Sequence, residues 1–76
     1  MNGPKLVKMA NDIAAFFEGE GDREHVLSSV AGHLKRFWDP RMRREIVRWV
    51  DERSGEGLRE SVVAAIRANR ETLLPK

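Results

Sequence analysis

The chain has no cysteine and no tyrosine. Without cysteine there is no disulfide framework, no zinc–thiolate site and no iron–sulfur ligation, which fits a reducing compartment. No apolar run approaches the ~20 residues that span a bilayer. The first residues form neither an apolar signal region nor a small-residue cleavage site. No membrane partner and a cytoplasmic location are therefore expected. Excess charge is scarce too: 14 bases against 12 acids leave +2, a weak basis for a dedicated nucleic-acid binder. No glycine-rich phosphate loop and no HExxH motif is present. His25 and His33 stand eight residues apart on one predicted helix, about 12 Å along its axis, and cannot share a metal ion. Asp22, His25 and Ser29 fall at catalytic-looking helical spacing, but read more simply as a cap and a polar face. Nothing supplies an oxyanion hole, and a surface helix does not desolvate a nucleophile. The chain is accordingly expected to hold no catalytic residue, no cofactor and no metal, and not to be an enzyme.

What is present is helical periodicity. Seventy-six residues make one small domain, 1–76, with a thin core. The expected fold is all-α, a small bundle of three to four short helices at about 4–18, 23–37, 40–53 and 58–70. On the first, Leu6, Met9, Ala10, Ile13, Phe16 and Phe17 share a face that Val7 and Ala14 widen to about half the circumference. Such a stripe exceeds one bundle contact, and weak self-association at high concentration is a further expectation. Glu18-Gly19-Glu20-Gly21-Asp22 is the linker. On the second helix Val26, Leu27, Val30, Leu34 and Phe37 point inward, while Ser28, Ser29 and Gly32 make a small-residue face, either exposed or closely approached. The third buries Met42, Ile46, Trp49 and Val50, with Arg41, Arg44 and Arg48 opposite and Arg41–Glu45 and Arg48–Glu52 as i,i+4 pairs. Ser54-Gly55-Glu56-Gly57 breaks the chain. Leu58, Val62, Ala65, Ile66 and Leu73 fill in behind it, and Leu74-Pro75-Lys76 is expected to fray.

The most informative stretch is His33-Leu34-Lys35-Arg36-Phe37-Trp38-Asp39-Pro40-Arg41-Met42-Arg43-Arg44. Asp39-Pro40 is a helix start: proline forces the preceding residue into extended geometry, and its fixed φ and missing N–H suit the first helical position. From Lys35 to Arg48 there are six bases and two acids, against one base and five acids from Asp12 to Glu24. Trp38 falls at the edge of the apolar stripe, and Arg43 occupies the position of a hydrophobic-staple partner, where a cation–π stack is expected. An edge tryptophan ringed by arginines describes a protein-docking hot spot, with plain core packing of Trp38 the evenly weighted alternative. The candidate partner-binding set is Phe17, His33, Arg36, Trp38, Arg41, Arg43 and Arg44, with Phe37 and Trp49 assigned to the core. A helix-turn-helix outline is the rival reading, opposed by Glu45, Asp51 and Glu52 beside the arginines.

The same residues carry a family resemblance. Lys5 to Phe17 (KLVKMANDIAAFF), followed by His33 to Arg43 (HLKRFWDPRMR), resembles the delta subunit of cytoplasmic NAD-dependent formate dehydrogenases that contain molybdenum or tungsten. Gly57-Leu58 and the last helix fit as well. The linker departs from the family pattern in lacking a proline. The resemblance implies a non-catalytic accessory subunit without cofactor, docking on the catalytic (alpha) subunit to support assembly, maturation or stability of the complex. The alternatives are a small nucleic-acid-binding protein and a maturation factor handling the molybdopterin guanine dinucleotide cofactor, with arginines on its phosphates.

Overall fold

Three short polar side chains set where the first helices begin. Asn2 Oδ1 accepts from the Lys5 N–H at 3.2 Å and starts α1 (Gly3–Glu18). Asp22 accepts from His25 N–H at 2.9 Å and starts α2 (Arg23–Phe37). Asp39 accepts from Met42 N–H at 2.9 Å and starts α3 (Pro40–Arg53), with Pro40 as its first residue. Each cap satisfies a backbone donor that the first turn leaves without a partner. The structure, a computed structural model, describes residues 2–74. Among these the elements are all helical, four longer helices and a single turn.

The last helix departs from expectation. It begins at Glu60, not 58, because Arg59 is extended (φ −62°, ψ 148°), and it ends at Ala68. The Asn69 side chain donates to Ala65 O at 2.9 Å, a local bond that competes with the helix ladder. The chain resumes as α5 (Arg70–Leu73), which seats Leu73 in the core. Arg70 bonds Asp51 on α3 at 2.6 Å and fixes this turn. Of the tail expected to fray, Leu74 packs against the core; Pro75 and Lys76 lie outside the described residues.

The core runs along small and β-branched side chains. On α1 the buried row is Leu6, Ala10 and Ala14. Met9, Ile13 and Phe17 flank it half-buried, and Phe16 stands outside. Two alanines at the centre let α2, α3 and α4 all pack against this helix. On α2 the buried row is Val26, Val30 and Leu34, and it continues into Trp38. That i, i+4 row drifts round the helix, so Phe37 falls behind it, beside His33. On α3 the buried residues are Arg43, Ile46, Val47 and Val50, a face rotated from the expected one.

Trp49, expected in the middle of that face, is half-buried at its end. Its indole N–H donates to Glu56 O at 2.7 Å, and the Arg53 guanidinium lies 4.5 Å from its ring centre. The ring also covers Gly3, where a Cβ would come within 2.5 Å of it. Trp49 thus ties the end of α3 to the start of α1. The turn it caps needs glycine. Gly55 has φ 71°, and a Cβ there would meet Val63 Cγ2 at 2.5 Å. Gly55→Ala is therefore expected to cost about 1–2 kcal/mol for the left-handed backbone alone, and more for the clash. A urea titration followed by circular dichroism checks this against Gly32→Ala, where nothing lies within 4 Å.

Candidate docking surface

Phe16 and Phe37 are the large apolar side chains left exposed among the described residues, at 66% and 68%. They belong to one feature. Phe16 meets Phe17 edge-on with ring centres 5.2 Å apart, Phe17 meets His33 at 6.2 Å, and His33 meets Phe37 at 4.7 Å. Four rings thus form a seam from the end of α1 to the end of α2. Beside it lies an open groove of about 460 Å³. The rings of Phe17, His33 and Phe37 and the small residues Ser28, Ser29 and Gly32 line it, and Arg36 is its one charged residue. A second, apolar notch of about 310 Å³ shares Phe17 and His33 and adds Asp12, Ile13 and Phe16. The small-residue face of α2 is the exposed alternative: among the described residues nothing lies within 4 Å of a Cβ at Gly32.

The candidate residues therefore part into three groups. Phe17, His33 and Arg36 come together in the groove. Arg41 and Arg44 are exposed on α3, outside the lining of either cavity. Trp38 and Arg43 are buried, at 5% and 8% exposure. The expectation of an edge Trp38 is overturned, and so is the assignment of Phe37 to the core. Trp38 is the first residue after α2, extended at φ −90° and ψ 136°. The chain turns there, and its ring folds inward while Phe37 keeps the helical direction outward. Arg43 is not stacked on Trp38; the cation–π pair among the described residues is Arg53 on Trp49. Arg43 lies on the inward face of α3, with Nε and Nη1 lacking any acceptor among the described residues. Phe16 and Phe37 were missed as surface residues because helical periodicity does not tell where a neighbouring helix ends.

Electrostatics elsewhere serve the fold. Glu18 at the end of α1 accepts from Arg59 Nε at 3.0 Å and Ser61 Oγ at 2.6 Å. Arg23 makes a two-pronged bond to Glu60, 2.7 Å on each side. These bonds join the α1–α2 linker region to the start of α4. Hydrogen bonds from Arg59 and then Ser61 lower Glu18 from its ordinary 4.5 to about 2. A depressed carboxylate stabilises the fold above its unfolded pKa, and that contribution is lost as pH falls through the folded one. Wild type is expected to lose melting temperature between about pH 4.5 and 2. Glu18→Gln should show a shallower acid loss, read by thermal melts across that range. The arginine row of α3 is partly neutralised: Arg48 bonds Glu52 at 2.9 Å, whereas Arg41–Glu45 is not among the ion pairs of the described residues. Asp22 is spent on the backbone N–H of His25, and Ser29 Oγ stands 3.4 Å from the His25 ring. Those three residues are a cap and a polar face. Among the described residues no group of His, Asp and Glu could hold a metal ion, and no helix is long and apolar enough to cross a membrane.

The fold and this face define a small all-helical protein with an aromatic seam on its surface. Residues 5–66 match the family described as NADH-dependent formate dehydrogenase delta subunit FdsD, and the chain belongs to that family. It is thus a formate dehydrogenase delta subunit in kind, whose complex includes a catalytic subunit. The match begins within the first turn of α1, takes in α2 and α3 and ends within α4. No curated protein and no solved structure matches the chain.

Proposed function

We propose that the chain is a non-catalytic accessory subunit, folded as one helical domain, that docks on the catalytic subunit of formate dehydrogenase in the cytoplasm. There it supports assembly, maturation or stability of the complex. The observation that carries this reading is the family match across residues 5–66. The exposed phenylalanines at the end of α1 and α2 support it, since adjacent apolar side chains left in water mark a surface that a partner covers. The candidate contacts that remain on the surface are Phe17, His33, Arg36, Arg41 and Arg44.

Deleting the chain from its native cells is the direct test. The yield or stability of active formate dehydrogenase is expected to fall, while enzyme that does assemble turns over formate normally. An enzyme with full metal content and unchanged quaternary structure but no turnover would refute the accessory role.

A further inference from the structure

Resting on that docking role, we infer that the aromatic seam across α1 and α2 is the docking face. Its occupant is an amphipathic helix of the catalytic subunit, which lays apolar side chains against Phe16, Phe17 and Phe37 and brings a carboxylate to Arg36.

Shape selects a helix. Ser28, Ser29 and Gly32 line one side of α2 there and nothing lies within 4 Å of a Cβ at Gly32, so an incoming backbone can come close on that side. From Ser28 to Phe37 the groove follows α2 for about 14 Å, the length of two to three helical turns. That length suits anchors at i, i+3 or i+4, and i+7 laid into an apolar groove. The described residues form no strand, so an extended peptide has no sheet edge to join.

Charge selects the partner. Arg36 is the one charge lining the groove, and it has no ion-pair partner among the described residues. Asp12, the acid of the adjoining notch, is held by Lys8 at 3.1 Å. The family match makes the catalytic subunit the chain at hand to supply the complementary acid. Desolvated aromatic anchors should carry most of the affinity, and the charge should fix orientation.

The test uses the full chain and catalytic subunit purified without it. Binding is measured for wild type, for Phe16→Ser with Phe37→Ser, for Arg36→Glu, and for Arg41→Glu with Arg44→Glu. The phenylalanine pair is expected to lose at least about tenfold in affinity, with melting temperature unchanged or raised because both side chains are exposed. Arg36→Glu should weaken binding, and lysine in place of the partner's acid should restore it. Reversing Arg41 and Arg44 should cost a few-fold at most, and high salt should erase the difference. A photoreactive phenylalanine analogue at position 37 should cross-link to a helical segment of the catalytic subunit that bears a carboxylate. Should the double phenylalanine variant fail to fold, Arg36→Glu and the cross-link decide. A cross-link to a second copy of this chain would overturn the inference. So would binding that depends on Arg41 and Arg44 but not on the phenylalanines, although the docking role would then stand. If wild type does not bind the catalytic subunit, the docking role fails and this face with it.

Discussion

Trp38→Ala is expected to cost the isolated chain about 3–5 kcal/mol of stability, whereas Phe37→Ala, one residue earlier, should change it by no more than about 0.5 kcal/mol. Trp38 is 5% exposed and belongs to the same buried cluster as Leu34, Ile46 and Leu73; Phe37 is 68% exposed. Truncating a buried tryptophan removes its transfer energy and leaves a cavity, together about 3–5 kcal/mol. A chain of this length has roughly 4–11 kcal/mol in all, so the loss takes a large share. Trp38 also sits where α2 hands over to α3, and its N–H still bonds Leu34 O at 3.1 Å. Its ring belongs to the buried cluster to which all five helices contribute, so the cavity would open in the core itself. Urea melts of both variants, followed by far-UV circular dichroism, check the pair. Equal loss from the two would mean that the corner is packed differently.

Arg43→Met should raise stability by about 1–3 kcal/mol, or roughly 4–8 °C in melting temperature for each kcal/mol. Arg43 is 8% exposed on the core face of α3, and its Nε and Nη1 find no acceptor among the described residues. Folding takes those donors from water and returns nothing. A hydrophobic side chain of similar volume keeps the packing of the stem and removes the unmet donors. Arg44→Met, next in sequence and exposed, is the control and should stay within about 0.5 kcal/mol. Thermal melts of the two variants read the difference directly. Destabilisation by Arg43→Met would show that the guanidinium has an acceptor in solution.

Both results turn on the aromatic corner, where sequence pattern and structure disagree most. Trp38 and Arg43 stand at the two positions of a hydrophobic staple around Asp39. A tryptophan and an arginine there suggest a surface stack, because arginine is rarely buried. The packing puts both inside. Arginine stacking on tryptophan does occur, one turn from the other end of α3, between Arg53 and Trp49. The inward face of α3 is set by what α1, α4 and α5 offer it, and they leave space at Arg43 and Val47 in place of Met42 and Trp49.

By itself the sequence determined what depends on neighbours along the chain. Asp22 and the Asp39-Pro40 pair fix where α2 and α3 begin, since a cap is a bond across three residues. Helical periodicity without alternating strand patterns gives an all-α fold, and the runs KLVKMANDIAAFF and HLKRFWDPRMR point to the delta-subunit family that residues 5–66 confirm. Only the tertiary structure decided which of two adjacent aromatics is inside. Periodicity defines a stripe on each helix but not where that stripe drifts or where the neighbouring helix stops. At the end of α2 the buried i, i+4 row runs on from Leu34 to Trp38 and leaves Phe37 outside. The seam of Phe16, Phe17, His33 and Phe37 arises the same way, from two helix ends whose side-chain rows outrun the core. Its residues lie on two helices and become one surface only when α1 and α2 pack.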